Sequence, residues 1–257
     1  MKIALFSDIH ANLPALEAVL NDMDSQNLDS IFCLGDLVGY ATWPNEVIRE
    51  IRKRKIPTIA GNYDEGVGLA SDDCGCAYKT DVDQDRGVQS INYTNKVVGS
   101  EERVYLRMLP SHLQIKYNIN GEQINILMVH GSPRKINEYL FEDRPERSMV
   151  NIMREAGADI LAFGHTHKPY HKVFQSEEAD ANKFLHAINI GSVGKPKDGD
   201  PRACYVVLHL DKEMTLKRED AVRVEFRRVE YDFEKTARAI EESPLPNEFA
   251  DMLRKAY

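Results

Sequence analysis

Residues 2–10 read Lys-Ile-Ala-Leu-Phe-Ser-Asp-Ile-His, and residues 11–23 continue Ala-Asn-Leu-Pro-Ala-Leu-Glu-Ala-Val-Leu-Asn-Asp-Met. The opening apolar run is what a strand buried on both faces requires. The continuation places Leu13, Leu16, Val19, Leu20 and Met23 at helical spacing, with Asn12 positioned to cap and Pro14 in the first turn. Between the two stand Ser7, Asp8 and His10, polar groups that follow directly on a buried strand. Strand, polar loop and helix together open a strand-helix-strand unit, which feeds a mostly parallel sheet.

Working outward, residues 30–34 read as a second strand. A second helix opens at Pro44, buries Val47, Ile48 and Ile51, and stops before Pro57. Thr58 to Ala60 is expected to form the third strand. Residues 66–110 break the rhythm: a polar, Asp-rich stretch precedes two weakly amphipathic segments, near 84–98 and 101–109. They read as a helical insertion, either a lid over a site or a peripheral packing element. From Leu113 the pattern becomes a hairpin around Asn120-Gly121, a type I′ turn pair. Met149, Ile152, Met153 and Ala156 form a helical face ending at Gly157. Strand-like runs follow at 159–163, 170–175, 184–190, 203–210 and 222–230, with two short helices expected within 232–257. So strand-rich a second half predicts two sheets.

Composition narrows the function classes. With 42% apolar and 29% charged residues, the 257-residue chain is expected to be a soluble globular protein. Its 41 acidic against 33 basic residues give a charge of -8, which argues against a sequence-independent grip on nucleic acid. Ser7, Asp8 and His10 interrupt the N-terminal apolar run before a leader's core forms, and no run approaches the ~20 apolar residues of a membrane span. Cys33, Cys74, Cys76 and Cys204 have no familiar disulfide or zinc spacing, so reduced thiols and a cytoplasmic location are expected.

The informative observation is that ligand-type residues recur after apolar runs. Ser7-Asp8-Ile9-His10, Gly35-Asp36, Gly61-Asn62-Tyr63-Asp64, His130-Gly131 and Gly164-His165-Thr166-His167 each follow one. Taken singly, each is as well explained by turn or cap chemistry. Beyond the carboxyl ends of parallel strands, however, such loops converge on one place. The ordered series resembles the calcineurin-like metallophosphoesterases over roughly residues 1–210. With His130-Gly131-Ser132-Pro133-Arg134 and Asn189-Ile190-Gly191-Ser192-Val193-Gly194, it is similar to their small bacterial and archaeal phosphodiesterase branch.

The resemblance implies an α/β fold bordering on α+β: a single domain over residues 1–257, with two mixed sheets flanked by helices in a four-layer αββα sandwich. By motif, Asp8, His10 and His167 would hold one metal and Asn62, His130 and His165 a second, with Asp36 bridging. Mixed imidazole and carboxylate or amide oxygen suits divalent Mn, Fe, Zn or Ni without choosing among them. Two such ions would activate a bridging hydroxide for in-line attack on phosphorus. Asp64 would position a neighbouring side chain, or serve only as a turn acid. Tyr63 stands where the wider family carries a His that assists the leaving group. A phenol with pKa about 10 is a poorer proton donor than an imidazole at about 6.5, so phosphodiesters are expected over monoesters.

Arg134 is a candidate phosphate clamp or a surface salt bridge. Asn12 and Tyr40 are candidates to line the pocket, with capping and packing as their plainer roles. Family analogy puts the loop from Gly194 to Arg202 near the site, whereas its composition reads as solvated. His112, His171, His186 and His209 read as ordinary strand or loop histidines. The expected substrate is a small-molecule or nucleotide phosphoester. Nuclease and protein phosphatase are the alternatives within the family, and a non-catalytic scaffold the alternative outside catalysis. Filled ligand positions count against the scaffold, and the acidic charge without clustered Lys and Arg against the nuclease.

Overall fold

The computed structural model describes residues 1–77, 80–176 and 183–257. Strand β1 (Lys2–Phe6) turns Ala4 and Phe6 to a helical layer and Ile3 and Leu5 to a second sheet, which is why it reads as an unbroken apolar run. Helix α1 (Leu13–Asp24) begins where the Asn12 side chain accepts from the Ala15 N–H at 3.3 Å. Strand β2 (Ser30–Cys33) lies parallel to β1, and helix α2 (Pro44–Lys53) buries Val47, Ile48 and Ile51 as its spacing predicts.

Two local expectations are corrected. Thr58 to Ala60 forms a single bridge to Cys33 instead of a strand. Pro57 has no N–H to extend the pairing, and the Ala60 N–H turns away to the Pro110 carbonyl. Asn62, expected in a turn, opens helix α3 (Asn62–Gly68), with Asp64 at its third position accepting from the Gly61 N–H. The helical region therefore begins before residue 66. It continues through α4 (Asp81–Val97) and α5 (Ser100–Arg107); of the expected insertion, residues 78 and 79 lie outside the described residues.

Strands β3 (His112–Ile119) and β4 (Glu122–Val129) form the hairpin, with Asn120 and Gly121 at φ 53° and 79° as a type I′ turn requires. Helix α6 (Glu146–Glu155) is followed by β5 (Ile160–Phe163), β6 (Tyr170–Gln175), β7 (Phe184–Asn189), β8 (Ala203–Leu210) and β9 (Val222–Val229). Helices α7 (Phe233–Glu241) and α8 (Glu248–Lys255) close the chain and pack beside Ala11, Ala41 and Tyr40.

One sheet has the order β2-β1-β8-β9 and the other β3-β4-β5-β7-β6. Among the described strand pairs, β1–β2, β4–β5 and β5–β7 are parallel and the rest antiparallel, so both sheets are mixed, as the resemblance implies, and the mostly parallel sheet read from the first half alone does not form. The return of β8 antiparallel beside β1 is the long-range pairing responsible. Layers follow from the cores. α1 and α2 cover the outer face of the first sheet, and Ile3, Leu5, Ile126, Met128, Ile160 and Ile188 fill the space between sheets. α6 covers the outer face of the second through Met149, Ile152, Leu161 and Phe163. This is the αββα sandwich.

Candidate metal centre

The carboxyl ends of β1, β2, β4 and β5 meet at one edge of the sandwich. Asp8 and His10 leave β1, Asp36 leaves β2, His130 leaves β4, and His165 and His167 leave β5. Backbone hydrogen bonds tie these exits together: Asp8 N–H to the Gly35 carbonyl (2.9 Å), His10 N–H to the Asp36 carbonyl (3.0 Å), and Gly164 N–H to the His130 carbonyl (2.9 Å). Asp8, His10, Asp36, His165 and His167 all have left-handed backbones, with φ between 50° and 65°. Such a backbone costs a non-glycine residue ~1–2 kcal/mol. These five are among eleven non-glycine positions of positive φ in the described residues, so local strain is concentrated at the centre.

Asp8, His10 and His167 converge with their potential ligand atoms within 4.8 Å of one another, as do Asp36, His130 and His165. Asp8 Oδ1 lies 3.2 Å from His167 Nε2, 3.8 Å from His10 Nε2 and 4.0 Å from His130 Nε2. Asp36 Oδ2 lies 3.4 Å from His130 Nε2 and 3.6 Å from His10 Nε2. Asp36 therefore stands between the two clusters. Asn62 Oδ1 joins the second, 3.1 Å from His130 Nε2. All seven side chains are buried.

The donor set fits cations. His10 Nδ1 faces the Val38 carbonyl at 3.0 Å and His167 Nδ1 the Lys195 carbonyl at 2.6 Å, contacts that place a proton on each Nδ1. The two Nε2 lone pairs then oppose each other at 3.2 Å. With His130 Nδ1 on the Leu34 carbonyl at 2.8 Å, a neutral His130 sets up the same conflict between its Nε2 and the Asn62 oxygen. The Asn62 amide donates to the Cys74 carbonyl (3.0 Å) and Cys76 Sγ (3.2 Å), which fixes its oxygen toward the histidine. Asp8 Oδ1 and His165 Nε2 are buried with no hydrogen-bond partner among the described residues. A divalent ion in each cluster resolves every one of these oppositions.

Electrostatics show the same place drawing positive charge. Burial opposes charge on His130, but Asp36 and Asp8 outweigh it and raise the imidazole to about 10, so that a proton on Nε2 takes the position a cation would fill. Burial, with His130 or Lys197 adding, holds His165 and His167 down to about 3. Burial would raise Asp8 and Asp36, yet His167 and His130 respectively keep them below the usual carboxylate range.

The remaining candidates separate. Asp64 accepts from the Leu37 (2.9 Å) and Gly61 (3.0 Å) N–H groups, locking two ligand loops together, while burial and then Asp36 push it up to about 7. It touches no ligand atom directly and so acts as a positioning residue. Tyr63 is buried in α3; its N–H donates to Asp36 Oδ1 at 2.9 Å, and its ring packs edge-on to His10 and against Tyr40. Tyr40 sits edge-on to His10 at 4.8 Å. Asn12 takes the plainer of its two expected roles, capping α1. Its oxygen accepts from Ala15 N–H and Thr236 Oγ1, and its amide donates to the Gly194 carbonyl and Tyr231 Oη, so its hydrogen-bonding capacity is filled by the fold. Arg134 is a half-exposed partner of Glu138, the salt-bridge alternative.

Some neighbours were given no role from sequence. Tyr139 packs against His165, the rings tilted by 39° with centroids 4.1 Å apart, and Ser7 Oγ donates to Asp8 Oδ2 at 2.5 Å. Lys195, read from composition as solvated, is buried, with its Nζ 4.5 Å from the Tyr40 ring centroid. Burial lowers Lys195 well below the usual lysine range, with Lys197 adding, and burial lowers Lys197 as well.

Comparison with known proteins agrees with this geometry. Residues 1–213 match the calcineurin-like phosphoesterase superfamily domain. An uncharacterised protein of Methanocaldococcus jannaschii is 36% identical, with 98% of this chain and 96% of that protein aligned. The crystal structure of a metallophosphoesterase from Sphaerobacter thermophilus superposes with a TM-score of 0.73 at 29% identity, covering 100% of both chains. That of a hypothetical protein from Pyrococcus horikoshii OT3 gives 0.77 at 25% identity, covering 100% of this chain and 98% of the other.

Proposed function

The chain belongs to the calcineurin-like phosphoesterase superfamily, and from that membership we propose that it is a two-metal phosphodiesterase acting on a small-molecule or nucleotide phosphoester. The observation that carries the reading is the pair of facing clusters, Asp8/His10/His167 and Asp36/His130/His165, whose lone pairs oppose one another until cations separate them. Asp8, His10 and His167 would hold one ion and Asn62, His130 and His165 the other, with Asp36 available to both. Mn, Fe, Zn and Ni all suit these donors. Ions held there supply Lewis acidity toward phosphoryl oxygens and bring the pKa of water near neutrality.

The chain's own residues do the rest. The carbonyls of Val38, Leu34 and Lys195 hold His10, His130 and His167 in one tautomer, and Asp64 fixes the Asp36 and Asn62 loops against each other. Tyr63 occupies the place of a leaving-group imidazole, but packs as a wall behind His10. With no imidazole there to protonate an alkoxide, esters with acidic leaving groups and diesters are favoured over alkyl monoesters. Free cysteines fit action in a reducing cytoplasm. Among the described residues no helix is long and apolar enough to cross a membrane.

A hydrolysis screen with Mn, Zn, Ni and Fe(II) over bis(p-nitrophenyl) phosphate, cyclic nucleotides, dinucleoside polyphosphates and alkyl monoesters tests this. Diester turnover above monoester turnover, with about two ions bound per chain, is expected. Equal or faster turnover of alkyl monoesters overturns the diester preference. Purified protein that holds no metal and gains no activity from it overturns the whole reading.

A further inference from the structure

Lys195 is 4% exposed, and Lys197, two residues on, is partly buried. Neither ammonium group has an ion pair or a hydrogen bond to a side chain among the described residues. Their favourable fields come from a distance, from Cys76 and Asp83 on Lys195 and from Cys76, Asp8 and Asp36 on Lys197. Asp83 is itself engaged by Thr80 and Arg86. A buried lysine amine without a counterion is an unsatisfied polar group, and an anion bound beside it supplies the partner it lacks.

Position says which ligand. Lys195 and Lys197 follow the Gly191–Gly194 loop, which is pinned to the first ligand loop by Val193 N–H on the Ser7 carbonyl (3.0 Å) and Gly194 N–H on the Asp8 carbonyl (2.9 Å). The Lys197 N–H meets the His167 carbonyl at 3.2 Å. The lysine loop is thus part of the wall of the Asp8/His10/His167 cluster. Lys195 reaches over Tyr40, whose ring abuts His10.

Charge balance then separates substrates. The four positive charges of two divalent ions are matched by Asp8, Asp36, a hydroxide nucleophile and the single charge of a phosphodiester. Asp64 lies behind Asp36, occupied by two backbone N–H groups. The two lysines are not needed for that balance, and no side chain among the described residues hydrogen-bonds either Nζ. We propose that Lys195 and Lys197 form an anion subsite beside the metal centre, and that the substrate is a phosphoester carrying at least one further phosphate. This rests on the two-metal reading above and deepens it to a substrate class: esters of di- or polyphosphates, nucleotides among them.

The test titrates methylphosphonate and methylenediphosphonate by calorimetry into Mn-loaded full-length protein at fixed free Mn. Wild type is compared with Lys195→Met, Lys197→Met and the double variant, and bound metal is measured in each sample. Wild type is expected to bind the bisphosphonate at least about tenfold tighter than the monophosphonate, and each substitution to reduce that ratio severalfold. Should Lys195→Met fail to fold, the partly exposed Lys197→Met carries the same comparison. An unchanged ratio with both ions retained overturns the subsite while leaving the phosphoesterase reading intact. Wild type that holds no metal, yet prefers bisphosphonate through these lysines, supports the subsite and overturns the phosphoesterase reading.

Discussion

Replacing Gly61 with alanine tests how closely the Asp36 carboxylate is placed. Gly61 has φ −89° and ψ 173°, extended backbone that alanine adopts freely, so any effect is steric. A Cβ there would sit 2.1 Å from Asp36 Oδ1 and 2.3 Å from the Asp36 nitrogen. Relief of that overlap requires the Asp36 backbone as well as its carboxylate to move about 1 Å, since non-bonded heavy atoms settle above 3 Å. Asp36 has no slack: Oδ1 takes the Tyr63 N–H at 2.9 Å, and Oδ2 stands 3.6 and 3.4 Å from His10 and His130. A misplacement of that size costs on the order of 100-fold in rate, and overpacking costs ~1–3 kcal/mol of stability. Gly61→Ala is therefore expected to lower kcat/KM on bis(p-nitrophenyl) phosphate by about two orders of magnitude and to lose bound metal. The control is Gly121→Ala, in the hairpin turn at φ 79° with nothing within 4 Å of its Cβ. It should lose ~1–2 kcal/mol of stability with activity and metal content unchanged. A Gly61→Ala protein with full metal occupancy and activity within threefold of wild type would refute the reasoning, as would equal losses in the control.

Three further outcomes follow from the geometry. Asp64→Asn leaves one of the Leu37 and Gly61 N–H groups facing an amide NH2, so urea unfolding should show ~1–3 kcal/mol of lost stability; no change would mean the carboxylate is not the clamp. Saturating Mn at about a thousandfold its Kd should add ~4 kcal/mol and raise Tm, by relieving the opposed imidazoles, whereas chelator-treated and Mn-loaded samples melting together would count against the cation sites. Burial would raise Glu138, but Arg134, Ser132 and Arg144 lower it from 4.5 to about 2. Because the folded value is depressed, its contribution is present above pH 4.5 and lost as pH falls toward 2. Discounted for the half-exposed Arg134, it should amount to ~1 kcal/mol. Glu138→Gln should remove that slope from the acid-unfolding curve.

Much of the sandwich was legible because local pattern and tertiary role coincide. The apolar run of Lys2–Phe6 needs burial on both faces, and Asn120-Gly121 needs two left-handed residues; each has few alternatives. The convergence of Asp8, Asp36, His130 and His165 was readable from their recurrence after strands. The pairing of β8 between β1 and β9 was not, since registers so distant in sequence leave no local trace. Helix α3 was hidden because Asn-Tyr-Asp-Glu-Gly-Val-Gly is glycine-rich and read as turn chemistry, while its capping by Asp64 depends on neighbouring loops. The burial of Lys195 was hidden for a related reason, although family analogy placed its loop near the site. Composition makes a Lys- and Asp-rich loop look solvated, and hydrogen bonds to Ser7, Asp8, Asn12 and His167 draw it inward.

Each ligand cluster draws on both sheets: Asp8 and His10 follow a strand of one and His167 a strand of the other, as Asp36 does with His130 and His165. Neither sheet alone can assemble a metal site. The ions thus report on docking of the two sheets, and their uptake during refolding should require it. Metal uptake is thereby a checkpoint on assembly: a chain with its halves misaligned would bury its two cores without completing either ligand cluster.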